Sequence, residues 1–190
     1  MAVKPHAAYS KILSVMKALL PEATRVSAVF YRCVETSFAH EITLGEGARI
    51  HGGRWNPLGS FRAVYLSDSP ETALQEFLAR ARRMKWPDHK SLPMVMAAVE
   101  VKASRILDLG FPTVNSALQN LLESEKAHWR TIQSRREAVS QAIGRAANEA
   151  CFQGLIASSQ QVPGGKNIIV FPMKLSRLDK LATPRLKAIR

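Results

Sequence analysis

The stretch VYLSDSPETALQEFLARARRM, Val64 to Met84, passes from one kind of secondary structure to the other within a few residues, and it decides the fold class. Ala63 to Ser67 is a short strand in which alternation places Tyr65 and Ser67 on the same side. Ser69 then offers the side-chain oxygen of a helix N-cap and Pro70 suits the first helical position. From there to about Met84, Leu74, Phe77, Leu78 and Ala81 recur at helical spacing. A strand feeding directly into an amphipathic helix predicts an α+β domain.

Upstream, Glu35 to Phe61 keeps no period and is punctuated by Gly45, Gly47, Gly52, Gly53, Pro57 and Gly59, so a long irregular connection is expected. Before it, Val26 to Val34 reads as a strand with Ala28, Phe30, Arg32 and Val34 on one face. Tyr9 to Leu20 reads as a docking helix through Ile12, Val15, Met16, Leu19 and Leu20, stopped by Pro21. Downstream, strands are expected at Met94–Val101 and Arg105–Leu109. A mostly helical region follows from about Thr113 to Cys151, interrupted near Arg130–Ser134. Two short strands, Gly154–Ala157 and Asn167–Phe171, flank a Pro163-Gly164-Gly165 turn. The chain divides into an N-terminal helical extension (1–25), a main domain (26–175) and a basic C-terminal tail (176–190) carrying Arg185, Lys187 and Arg190.

At 190 residues, 46% hydrophobic and 22% charged, the chain can bury one substantial core, and nothing in it suggests disorder. Its 27 Lys and Arg against 15 Asp and Glu give a net charge of +12, which favours an anionic partner. Cys33 and Cys151 are too few for a disulfide scaffold or a thiolate zinc site, and point to a reducing compartment. Lys11 and Lys17 interrupt the apolar N-terminal stretch, so no secretory signal is expected, and no run is long enough for an ordinary membrane-spanning helix. A cytoplasmic protein is expected.

Arg32 is the strongest single-residue signal, because an ionised guanidinium on an apolar strand face costs several kcal/mol unless something negative compensates it. An internal carboxylate and a bound phosphate would answer equally well. In HGGRWNPLGS, His51 to Ser60, the Gly-Gly pair lets backbone approach a ligand, Arg54 supplies a cation and Trp55 a flat apolar surface, although Gly-Gly is also an ordinary turn. It lacks the Gly-Lys-Ser/Thr ending of a Walker loop. Glu76, opposite the apolar stripe of its helix, is most simply a solvated carboxylate paired with Arg80 at i,i+4. The five histidines have no metalloprotease spacing and Ser67 no nucleophile-elbow setting.

Taken together, YRCV (Tyr31–Val34), GGRWNPLGS (Gly52–Ser60), VYLSDSPETALQEFL (Val64–Leu78) and GLIASSQQVPGGKNIIVFP (Gly154–Pro172) resemble the RES-domain family, over about Val29 to Pro172. The resemblance implies a compact ADP-ribosyltransferase-like fold, with short-stranded sheets flanked by helices. It also implies a toxin held inactive by an Xre-type helix-turn-helix antitoxin, through which it could form a homo-oligomer. The family's Arg, Glu and Ser fall on Arg32, Glu76 and Ser159, with Ser158 where a proline would be expected. The implied reaction breaks the nicotinamide–ribose bond of NAD, with water, phosphate or a protein side chain as acceptor, and needs no metal. Arg32 and Arg54 would hold the phosphates and Glu76 the ribose, with Trp55 or Tyr65 stacking on a ring and Ser67 or Ser159 orienting the substrate. A basic nucleic-acid-binding module, suggested by +12 and by Arg80, Arg82, Arg83 and Lys85, is the alternative from another class, and it would bind with steep salt dependence.

Overall fold

The structure, a computed structural model, describes residues 4–87, 92–125 and 127–189, with the backbone alone for 184–189. Six strands run β1 (Thr24–Glu35), β2 (Val64–Ser67), β3 (Met94–Asp108), β4 (Gly154–Ser158), β5 (Lys166–Val170) and β6 (Lys180–Ile189). The helices are α1 (Tyr9–Ala18), α2 (Glu46–His51), α3 (Pro70–Arg83), α4 (Pro112–Glu123), α5 (Trp129–Gln133) and α6 (Val139–Glu149).

The sheet order is β1-β2-β5-β4-β3-β6, and β1 also pairs with β3, so five strands close into a ring with β6 added outside β3. One side of the ring is strongly made: β1 and β3 run antiparallel from Thr24–Ile106 to Glu35–Met94. The other side closes through a single residue pair, Tyr31 with Ser67. The alternation Val95, Ala97, Val99, Val101 on β3 meets Val64 and Leu66 of β2 and Ile168 and Val170 of β5 in one apolar cluster. The opposite faces of β4 and β5, through Leu155, Ala157 and Ile169, carry a larger cluster under the helices.

In that larger cluster α1 packs chiefly against α6. Ile12 and Met16 are fully buried beside Ile143, Ala146 and Ala147, each contributing about 1.5–3 kcal/mol by leaving water. The small residues of α6 allow the close approach. The N-terminal helix therefore shares the core of the strands that follow it.

Three local expectations are revised. Met94 to Asp108 is one strand; the suspected break is a bulge, where Gln153 Oε1 accepts the Ser104 and Arg105 N–H groups at 2.7 and 3.0 Å. The interruption expected at Arg130–Ser134 is largely the short helix α5, and the breaks lie on either side of it. Residues 180–189, read as part of a basic tail, pair along β3 as β6. By contrast α3 begins as expected, with Ser69 Oγ accepting the Thr72 N–H at 3.0 Å, a cap of about 1 kcal/mol. No described helix is long and apolar enough to cross a membrane.

Candidate active site

The glycine loop before β2 is held from three directions. Gly53 and Asn56 bridge a tight turn with Arg54 and Trp55 at its corner. From beneath, Tyr65 Oη accepts the Trp55 N–H at 2.9 Å and donates to Asn56 Oδ1 at 2.8 Å, while Asn56 Nδ2 donates to the Ala48 carbonyl at 2.7 Å. A Cβ at Gly53 would lie 2.3 Å from that phenol oxygen, which explains the glycine. From behind, the buried Gln141 of α6 donates to the Gly53 carbonyl at 3.0 Å, and a Cβ at Gly144 would fall 1.7 Å from the Trp55 carbonyl oxygen. The consequence is a rigid perch for Arg54.

Tyr65 is thus a brace whose one hydroxyl proton is committed to Asn56, and burial raises its pKa well above the ordinary phenol range. Trp55 is only 3% exposed and packs in the larger core, and the little surface it keeps is part of the cleft lining. Arg54 lies with its guanidinium carbon 5.0 Å from the Trp55 ring centre.

Arg32 sits opposite Ala97 of β3, between Phe30 and Val34 along the strand. Its Nη1 donates to the Ile42 carbonyl, and no described carboxylate forms an ion pair with it. Arg32 is half-buried and lines the cleft. Burial, reinforced by the nearby Arg80, pulls its pKa down to about 10.

Glu76, on α3, does not pair with Arg80. Its Oε1 accepts two hydrogen bonds of 2.8 Å, one from Ser159 Oγ and one from Asn167 Nδ2. Ser159 Oγ in turn accepts the N–H groups of Gln161 and Val162 at 3.1 and 3.2 Å, so its single proton is committed to Glu76. Asn167 is oriented by Ser67, which donates to its Oδ1 at 2.8 Å. Ser67 is 4% exposed, and therefore supports Glu76 from behind. Ser158 instead lines the cleft. One oxygen of Glu76 is tied down and the other is left for a ligand.

These residues border a cleft of about 290 Å³, close to the lower end of the size range of small-molecule sites. Arg32, Arg54, Glu76 and Tyr65 line it. A smaller cavity of about 90 Å³ runs from Tyr31 and Ser67 to Glu76 beside the narrow closure of the strand ring. The cleft also contains Arg80, Arg83, Arg130 and His128, which sequence reasoning did not assign to it. Arg80 and Arg83 stand four and seven residues beyond Glu76, a helical stripe that was visible in the sequence. Arg130, His128 and Asn167 carried no such signal, because only the fold brings their segments here. The His128 pKa is lowered by burial and by Arg130, Arg83 and Arg54. Among the described residues, no group of three or more His, Cys, Asp or Glu side chains is placed to hold a metal ion.

The arrangement suits an anionic ligand that develops positive charge near one carboxylate. Residues 25–188 match the RES domain. Over 144 residues, 73% of this chain and 70% of the relative, the chain is 31% identical to the NAD(+) phosphorylase MbcT of Mycobacterium bovis and to the protein of that name from Mycobacterium tuberculosis. Its fold is similar to that in the crystal structure of the M. tuberculosis MbcT-MbcA toxin-antitoxin complex, with a TM-score of 0.72 and 25% identity over 94% of this chain and 91% of that one. The expected ADP-ribosyltransferase-like α+β architecture is the one observed. With the match running from β1 into β6, the chain belongs to the RES-domain family.

Proposed function

We propose that this chain is the toxin of a toxin-antitoxin pair, and that it destroys NAD by phosphorolysis of the nicotinamide–ribose bond. The observation that carries the reading is Glu76, with one oxygen fixed by Ser159 and Asn167 and the other free, in a cleft whose remaining formal charges are arginines. The identity with proteins named NAD(+) phosphorylase favours phosphate among the possible acceptors.

In this reading Arg32 and Arg54 hold the pyrophosphate of NAD by charge-assisted bonds, and the phosphate supplies the compensation that Arg32 lacks. The C1′–N bond of the nicotinamide riboside breaks with its electron pair passing to the ring nitrogen, which discharges the pyridinium. Positive charge grows on the ribose as this happens, and the free oxygen of Glu76 stabilises it. An electrostatic contribution of this type is worth about 2.7–4 kcal/mol. An oxygen of inorganic phosphate forms the new bond to C1′ and any remaining proton leaves to solvent. The products are nicotinamide and ADP-ribose phosphorylated at C1′. Ser159, Asn167 and Ser67 act through Glu76 by fixing its rotamer. Tyr65 acts through Arg54 by fixing the loop.

Purified protein incubated with NAD, with and without inorganic phosphate, tests the reading by chromatography and mass spectrometry. Nicotinamide release that rises with phosphate, together with the C1′-phosphorylated product, is expected. Release at the same rate without phosphate would mean hydrolysis; labelling of proteins by ADP-ribose would mean a transferase. No release of nicotinamide would sink the enzyme reading and favour salt-dependent nucleic-acid binding, for which the +12 charge argues. The natural setting is the cytoplasm, where an Xre-type helix-turn-helix antitoxin should silence the activity on co-expression.

A further inference from the structure

The cleft carries more positive charge than NAD can use. Arg32, Arg54, Arg80, Arg83 and Arg130 all line it, against Glu76 alone, and among the described residues none of the five forms an ion pair. The pyrophosphate of NAD brings one negative charge on each phosphate, leaving a surplus that matches a second anion of about −1.5 to −2, the charge of a phosphate group near pH 7.

The five arginines come from different elements. Arg32 on β1 and Arg54 on the glycine loop are carried by the strand side, whereas Arg80 and Arg83 lie on α3 and Arg130 on α5, and Arg80 stands near enough to Arg32 to help lower its pKa. Glu76, Arg80 and Arg83 form one helical stripe, rising about 6 Å and about 10 Å beyond the carboxylate along the helix axis. An anion seated by Arg80 is therefore within side-chain reach of a ribose positioned at Glu76. Two of the three cations are stacked in place: the Arg80 guanidinium carbon lies 5.2 Å from the Trp86 ring centre, and that of Arg130 lies 4.3 Å from Trp129. Stacking orders the guanidinium before any ligand arrives and leaves its N–H donors free. The three repel one another as well. Burial is the main cause of the lowered pKa of Arg80 and of Arg130, and Arg83 adds to it in both cases. A small multivalent anion would relieve all three together.

We propose that Arg80, Arg83 and Arg130 form the seat of the inorganic phosphate co-substrate, separate from the Arg32 and Arg54 subsite for the pyrophosphate of NAD. The inference rests on the phosphorolysis reading above. The seat delivers the attacking oxygen to C1′ beside Glu76, and explains why α3 carries the carboxylate and two of the phosphate ligands on one stripe.

Steady-state nicotinamide release from the wild-type chain and from Arg83→Gln, Arg130→Gln and Arg130→Lys tests the assignment. One series varies phosphate at saturating NAD and the other varies NAD at saturating phosphate. Each glutamine variant should raise KM for phosphate by about tenfold to a hundredfold, the loss of a charge-assisted bond, with KM for NAD changed by less than about twofold. Arg130→Lys, which keeps the charge without the planar fork, should fall between. Thermal unfolding of each variant, with and without phosphate, shows whether a folded protein has lost phosphate-induced stabilisation. A rise in KM for NAD with KM for phosphate unchanged would overturn the assignment while leaving phosphorolysis standing. If wild-type release itself does not depend on phosphate, the phosphorolysis reading fails and this seat fails with it.

Discussion

Arg145 on α6 and Arg32 on β1 are both half-buried arginines, and they are satisfied in opposite ways. Arg145 meets both oxygens of Glu137 at 2.7 Å, and its guanidinium carbon lies 3.3 Å from the centre of the Tyr9 ring. Glu137 is itself 2% exposed and also accepts the His6 N–H at 2.9 Å. Arg32 has the single carbonyl of Ile42. Where the chain needs a cation to join α1 to α6, it supplies the matching carboxylate. In the cleft it supplies arginines with little to neutralise them, which is the arrangement expected where a ligand completes the electrostatics.

The comparison can be broken most severely at Glu76. Glu76→Gln keeps the shape and the hydrogen bonding of Ser159 but removes the charge, and should lower turnover of NAD by about 10³-fold. The thermal midpoint should stay within about 4 °C, the equivalent of about 1 kcal/mol in a domain of this size. A large loss of stability with activity retained would move Glu76 to the structural side.

Glu137→Ala is the converse experiment. It strands Arg145 and should cost about 3–5 kcal/mol, since a partly buried charge loses its partner. The midpoint should fall on the order of 10 °C, with turnover per folded molecule preserved below the transition.

Arg32→Met sharpens the contrast, because it removes a cation that no described carboxylate contacts as an ion pair, its one hydrogen bond going to the Ile42 carbonyl. Stability should hold or rise by about 1 kcal/mol, while kcat/KM for NAD falls about a hundredfold. A marked loss of stability would show that Arg32 serves the fold.

Ser159→Ala deletes one of the two donors to Glu76 Oε1. Turnover should fall by about tenfold with KM for NAD little changed, a split that marks loss of positioning. The smallest effect belongs to Arg62, which pairs on the surface with Glu46 at 2.8 Å. Arg62→Ala should leave both the thermal midpoint and turnover essentially unchanged.

The legible parts of the molecule were those whose physics is local. The α3 start could be read from Ser69 and Pro70 because a cap is made within three residues. The strands around Tyr31, Tyr65 and Ile169 followed from β-branched and aromatic runs. Arg32 was suspicious because a cation interrupting an apolar alternation is anomalous whatever surrounds it. The bulge at Ser104–Arg105 was misread as a strand end, since the group that satisfies it, Gln153, lies about 50 residues away. The depth of Trp55 was not legible for a related reason: the helix that packs against it, α6, comes nearly 90 residues later.

By itself the sequence determined the α+β class, the helix carrying Glu76 and the presence of an excess of cations, because propensity, capping and charge are properties of short segments. Only the tertiary structure decided which cations share the cleft and which are neutralised elsewhere. It alone set one oxygen of Glu76 against Ser159 and Asn167, bonds that span 83 and 91 residues. Hydrogen bonds and ion pairs act over a few ångströms of space regardless of distance along the chain, so an ordinary helix carboxylate becomes a poised one only once β4 and β5 are laid beside it.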